Sequence, residues 1–227
     1  MSDTKVLNLY AGIGGNRKLW DDVDVTAVEW DEEKAKIYKD YFPNDNVVIS
    51  DAHEYLVENL FEQDWDFIWA SPPCPTHSQM EQINHRNSEL RYPDMKLYQE
   101  LIILQKYCEQ EGYDYTVENV ISYYEPLYEP QTRARHYFWS NFVIPKYEGE
   151  VLGVSGNWKD ENWASFDYDR YEKKYGYDLS SYDISKNKKS KMLKNCVEPE
   201  LGKHVFDAAT KNRQSKFTIN GEITVTN

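Results

Sequence analysis

Cys74 stands at the end of the run Phe67-Ile68-Trp69-Ala70-Ser71-Pro72-Pro73. The apolar residues read as a buried strand. The prolines end its pairing and fix φ, so the chain leaves the sheet there. A thiol held rigidly at the carboxyl end of a strand sits where α/β enzymes bind their ligands. Its chemistry would be nucleophilic, through a thiolate that forms a covalent intermediate. A single cysteine is more often a small buried hydrophobe, so the weight falls on the segments that accompany it.

Upstream lies Leu7-Asn8-Leu9-Tyr10-Ala11-Gly12-Ile13-Gly14-Gly15, an apolar strand that breaks into glycines. Downstream come Glu118-Asn119-Val120, then Gln131-Thr132-Arg133-Ala134-Arg135, then Asn195-Cys196-Val197-Glu198-Pro199. In that order, with Pro73-Cys74 second, these motifs resemble the cytosine-C5 DNA methyltransferases, which use S-adenosylmethionine. The resemblance covers most of residues 5–140 and resumes at about 193–210. It implies an α/β, Rossmann-like methyltransferase fold with a mostly parallel sheet and a small inserted target-recognition lobe.

A chain of 227 residues can bury one sizeable core, or one core and a small lobe. No apolar run approaches the roughly 20 residues that span a membrane. Met1–Lys5 lacks the basic and apolar regions of a signal peptide. The three cysteines, Cys74, Cys108 and Cys196, have neither the arithmetic of a disulfide framework nor the spacing of zinc ligands. A soluble cytoplasmic monomer is expected, in a bacterial or phage-infected cell, with no membrane partner and no metal. The net charge of −13 runs against the basic footprint usual in nucleic-acid binders. Binding depends on local distribution, however. Positive residues cluster at His85-Arg86 with Arg91, at Arg133 with Arg135, and from Lys186 to Lys194. The lysine run by itself reads more simply as a solvated face.

The elements that must position the motifs follow from the pattern. Strands are expected at Lys5–Tyr10, Val23–Val28, Val47–Ser50, Asp66–Ala70 and Tyr113–Val117, with helices at Glu32–Tyr41, about 52–62 and about 94–111. That alternation implies crossover connections and a mostly parallel sheet. Ser78–Pro93 is polar and without period, and Arg135–Ile144 reads as a further strand or hairpin. Residues 1–140 are expected to form the cofactor-binding and catalytic domain. Residues 141–192, rich in Tyr, Trp, Asp and Lys, would form the small lobe, and 193–227 would return to the catalytic domain. That return reads as a helix over Glu198–Asn212 and a hairpin over 217–225 turning at Asn220-Gly221.

Glycine after a strand lets the backbone turn sharply and approach a ligand, although the spacing is not the dinucleotide fingerprint. Glu29 ends the second strand, where α/β folds grip ribose hydroxyls. Trp30 beside it can stack on adenine. Asp51 caps a helix starting at Ala52, or contacts the adenine edge as the resemblance implies; both can hold. By resemblance the cofactor site comprises Tyr10, Ala11, Gly12, Ile13, Gly14, Gly15, Glu29, Trp30, Asp51, Ala52, Ser71, Pro72, Asn195 and Val197, the last two folding back over the cofactor.

Cytosine C5 is a poor nucleophile, and addition of a thiolate at C6 makes it enamine-like. The resemblance gives that role to Cys74, presented by Pro73. It has Glu118 hold the N3 and N4 edge of the base, Asn119 fix the cysteine loop, and Arg135, with Arg133, support base and cysteine. A duplex must release its base to such a site. Ser78, His85, Arg86, Arg91, Lys188 and Lys189 are the candidate contacts to nucleic acid, and Ser78–Pro93 is a candidate closing loop.

Two features depart from the family. Pro75-Thr76-His77-Ser78 replaces its usual Gln and Phe-Ser, which stiffens the loop and adds a group that titrates near neutrality. The lobe is also very short, which favours a short or relaxed sequence preference. Cytosine in duplex DNA is the expected substrate of this phage-like, minimal enzyme. The alternatives are cytosine in tRNA, a silent binding relative, and a cofactor carrying another transferable group.

Overall fold

The apolar runs become the centre of a single sheet. The computed structural model describes residues 3–79, 91–150 and 168–222, with side chains to residue 216. Its strands are β1 (Thr4–Leu9), β2 (Val23–Val28), β3 (Asn46–Val48), β4 (Phe67–Ala70), β5 (Asp114–Val120), β6 (Gln131–Arg133) and β7 (His136–Ser140). Their spatial order is β3-β2-β1-β4-β5-β7-β6. β1 to β5 are parallel, and β7 runs against both neighbours. The order reverses between β1 and β4. A crevice opens at the carboxyl ends of the strands at such a switch point.

Alternation along each strand divides the core into two layers. Val6, Phe67 and Trp69 face one side, where α6 (Pro199–Glu222) contributes Leu201, Val205 and Phe206. Trp20 stacks on Phe206 there, with ring centroids 5.2 Å apart. Leu7, Leu9, Ile68 and Ala70 face the other side. They meet Leu56 of α2 (Ala52–Asn59) and Leu97, Leu101 and Leu104 of α3 (Lys96–Glu111). Burial on both faces is what a parallel sheet under helices requires, and it accounts for the unbroken apolar strands. α1 (Glu32–Tyr41) starts on an Asp31 cap, and Asp51 caps α2.

A third cluster joins the tyrosine-rich segment to the body. Tyr171 and Tyr175 of α4 (Tyr168–Tyr175), Tyr177, Leu179, and Met192 and Leu193 of α5 (Lys186–Lys194) pack on Ile13 and Ile37. Burial of aromatic rings, rather than aliphatic periodicity, holds this part. Lys18 lies 4.1 Å from the ring centre of Tyr41 and 4.2 Å from that of Tyr177, a cation–π contact that joins the tyrosine-rich segment to α1.

The C-terminal hairpin is not formed. α6 continues through the Asn220-Gly221 step to Glu222; residues 223–227 lie outside the described residues. Once its buried stretch has nucleated, each further helical residue adds a bond at little cost, whereas a two-stranded ribbon is marginal alone. β5 is also longer than expected, so Glu118 and Asn119 lie within the strand rather than after it.

Gly15 and Gly202 are where the late segment meets the first turn. A Cβ on Gly15 would lie 2.6 Å from the Val197 carbonyl oxygen, and one on Gly202 would lie 2.4 Å from that of Asn16. Gly15→Ala should therefore lower stability by about 1–3 kcal/mol, read as a lower urea midpoint; an unchanged midpoint would refute this close packing.

Candidate active site

The turn after β1 is tied to the end of β2 by one carboxylate. Gly12 N–H donates to Glu29 Oε2 at 2.9 Å and Asp31 N–H to Oε1 at 3.0 Å, with Lys34 Nζ 3.5 Å away. Glu29 is only 4% exposed. Each carboxylate oxygen has lone pairs to spare for a sugar hydroxyl. A Cβ on Gly12 would meet nothing within 4 Å, so the turn opens onto free space there. Gly14 (φ 87°) instead packs against Tyr38 and Phe42, where even a methyl group would collide. Trp30 is 67% exposed at the same edge, a large aromatic face left bare. Ala11 and Ile13 are buried, the Ile13 carbonyl accepting the Tyr177 hydroxyl at 2.7 Å. Asp51 accepts from His53 and Glu54 N–H and sits 3.6 Å from Lys96, while Ala52 is buried in the core. Asn195 caps the end of α5, and Val197 lies against Gly15.

Below this edge is a cluster that sequence reasoning missed. The Tyr10 hydroxyl donates to Glu100 Oε1, and His53 Nδ1 lies 2.9 Å from the same oxygen. Glu100 is wholly buried, and burial pushes its carboxyl up. The signal was present: Glu100 shares the apolar face of Leu97, Leu101 and Leu104, where a carboxylate has no place unless partnered.

The other half of the site is the loop after β4. Ser71 Oγ accepts Trp69 Nε1–H at 2.8 Å, and the Pro72 carbonyl accepts Asn119 Nδ2–H at 3.0 Å. Pro73 is exposed. The Cys74 carbonyl accepts N–H bonds from His77 and Ser78, both at 3.0 Å, and Ser78 bridges to Ser122. His77 is buried with Nδ1 2.5 Å from the Tyr124 hydroxyl. Burial pushes its pKa down, with Asp94 opposing. The loop is thus stapled to β5 and to the segment that follows it.

Glu118 and Cys74 are brought together. The thiol is pushed up to about 11, first by burial and then by the Glu118 charge, with Lys191 opposing. Glu118 Oε1 lies 2.6 Å from His136 Nδ1, and both residues are buried. His136 also escaped sequence reasoning; it directly follows Arg135, and only pairing of β5 with β7 delivers it. Arg135 occupies the tight turn between β6 and β7, where Ala134 takes a φ of 53°. Its Nε is buried without a hydrogen bond among the described residues, and its charge acts on Tyr171 and Tyr175. Arg133 faces other work: its guanidinium donates to the carbonyls of Thr132, Ile144 and Pro145 and braces the chain after β7.

His85 and Arg86 lie outside the described residues, and Arg91 is exposed. Lys188 pairs with Asp31 and Glu33 of the first helix, and Lys189 is half-buried on α5.

This strand order, with its reversed seventh strand and a glycine turn gripped by an acidic residue at the end of β2, defines a Rossmann-like methyltransferase fold. Residues 4–100, less than half of the chain, match the family model described as C-5 cytosine-specific DNA methylase, and over that stretch the chain resembles this family. No curated protein matches the chain. Among solved structures it is similar to a DNA modification methyltransferase of an Escherichia coli prophage, at 16% identity and TM-score 0.41 over 67% of this chain and 53% of that one. It is also similar to DNMT2 of Spodoptera frugiperda, at 22% identity and TM-score 0.37 over 52% of this chain and 36% of that one. The chain thus spans about a third to a half of these proteins. No described helix is long and apolar enough to cross a membrane.

The raised thiol has a direct consequence. In the free protein the thiolate fraction of Cys74 should rise about tenfold per pH unit up to pH about 11, and alkylation by iodoacetamide should follow it. Glu118→Gln removes a repelling charge and should speed alkylation at neutral pH. Equal rates in parent and variant would show that the two groups do not interact.

Proposed function

We propose that the chain is a DNA cytosine-C5 methyltransferase that acts on a base flipped out of the duplex. The observation that supports this best is the position of Cys74 within reach of the Glu118 charge, on a loop stapled by Asn119, in a chain that also has an open glycine turn. S-adenosylmethionine, when bound, supplies an electrophilic methyl group. The residues present fit it: the buried Glu29 carboxylate for the ribose, the bare Trp30 face for the adenine, and the open Gly12 turn for close approach. Asp51, Ala52, Ser71, Pro72, Asn195 and Val197 would complete that cradle.

Cys74 Sγ loses its proton and bonds to C6, which raises electron density at C5. Glu118 holds the N3 and N4 edge of the base, and Arg135 adds positive charge at the turn beside it. Once C5 carries the methyl group, water takes the C5 proton, the electron pair restores the C5–C6 double bond, the S–C6 bond breaks, and the thiolate leaves. A thiol raised to about 11 is not ionised beforehand at neutral pH, so its deprotonation belongs to the base-bound state. An acidic chain that meets phosphates through a few basic residues should bind them weakly, and added salt should weaken that binding further.

The test is methyl transfer from labelled S-adenosylmethionine to unmodified duplex DNA at low salt, with tRNA in parallel. Label in DNA cytosine is expected, and none with Cys74→Ala, which should still bind S-adenosylmethionine. Label confined to tRNA would move the substrate to RNA, and turnover by Cys74→Ala would rule out the covalent route. Trp30→Ala should weaken cofactor binding by about 1–3 kcal/mol, the worth of one base–aromatic stack. Calorimetry that finds the affinity unchanged would place the adenine elsewhere.

A further inference from the structure

We propose that His136 is a positioning residue that holds Glu118 in its working orientation, an inference resting on the cytosine-methylating reading above. β5 and β7 pair so that Glu118 lies opposite Phe138 and Val120 opposite His136. In an antiparallel pair, residues two apart share a face. Glu118 and His136 are therefore diagonal neighbours on one face, within reach of each other. The 2.6 Å contact between Oε1 and Nδ1 is at the short end for a hydrogen bond.

The physical need for this contact follows from burial. Glu118 is in the interior of a central strand, away from water that could hydrate its carboxyl. A carboxyl group there must be hydrogen-bonded or it destabilises the strand. Its side chain has rotatable torsions, and a loose carboxyl would neither hold a base edge nor act steadily on Cys74. The imidazole supplies one bond from a stiff ring, and the Phe138 ring, with its centroid 6.2 Å from that of His136, limits where the imidazole can turn. Oε1 is thereby committed. Among the described residues Oε2 has no such partner, and it is the oxygen free to meet the base.

A second observation points the same way. His136 Nε2 is buried and has no partner among the described residues. Buried polar atoms of that kind call for a reason. Here the ring is held by its other nitrogen, so the orientation serves Glu118 at the expense of Nε2. Whichever heteroatom carries the shared proton, Nε2 is left over. Serving Glu118, rather than satisfying its own bonds, is the mark of a residue placed for another's function.

Two variants separate positioning from packing. His136→Leu keeps an apolar side chain of similar bulk and removes the bond. Its kcat should fall about 100-fold, the loss typical of an ångström-scale misplacement of a catalytic group, with KM for DNA and affinity for S-adenosylmethionine nearly unchanged. His136→Asn keeps a donor near Oε1 and should recover much of that loss. A kcat for His136→Leu close to the parent's, or no recovery by His136→Asn, would overturn the proposal. Alkylation of Cys74 provides a readout that needs no turnover. Glu118 and Lys191 are the charged groups acting on that thiol. A carboxyl released from His136 should shift the pH at which Cys74 reacts in His136→Leu. An unshifted profile would overturn the proposal even if the parent methylates nothing, an outcome that would separately reject the proposed function.

Discussion

The site depends on one constraint: a strand that ends in two prolines must be held from outside. Ser71 N–H still donates to the Leu9 carbonyl at 3.3 Å, but Pro72 and Pro73 have no N–H to offer, so the two residues before Cys74 cannot be fastened by their own donors. It is fastened by acceptors. The Pro72 carbonyl takes Asn119 Nδ2–H, and the Cys74 carbonyl takes two N–H groups from the turn that follows. Asn119 can do this only because β5 pairs with β4. Its neighbour Glu118 reaches Cys74 through the same pairing, so the bond that anchors the loop also sets the nucleophile against its partner.

Electrostatics at that junction favour restraint over reactivity. Burial and a carboxylate together keep the thiol protonated. A half-buried, protonated thiol reacts slowly with alkylating agents and oxidants at neutral pH. Any ligand that changes the solvation or the charge balance around the thiol would change how firmly it holds its proton. His77, beside it, is buried against Tyr124, and that burial pushes its pKa down.

The cofactor side is organised by packing across large sequence distances. Glu29 ties the first turn to the second strand, and the segment around Val197 and Gly202 closes on Gly15 and Asn16 with no room for a methyl group. The tyrosine-rich lobe is part of this closure. Tyr171, Tyr175 and Tyr177 bury themselves against Ile13, in the turn itself. A segment that lacks aliphatic periodicity is thus fixed by aromatic area and by a lysine seated between tyrosine rings.

The sequence by itself determined the strands and helices of the body, because hydrophobic period and Pro, Gly and Asp punctuation are local signals. β2 and α1 fall on the expected residues, and β1, β4 and α3 within two residues at each end. It also marked Cys74, Glu29 and Trp30 as candidates, because their residue types stand at strand ends, where α/β folds place ligands. Tertiary structure alone decided the rest. That Arg133 braces carbonyls while Arg135 lies at the turn depends on the β6–β7 register. That His136 meets Glu118, and that Glu100 receives Tyr10 and His53, depends on residues 18, 90 and 47 positions apart in the chain. The Asn220-Gly221 step shows the converse. Its local turn signal yielded to a helix already docked on the sheet, because burial over many residues outweighs the preference of two.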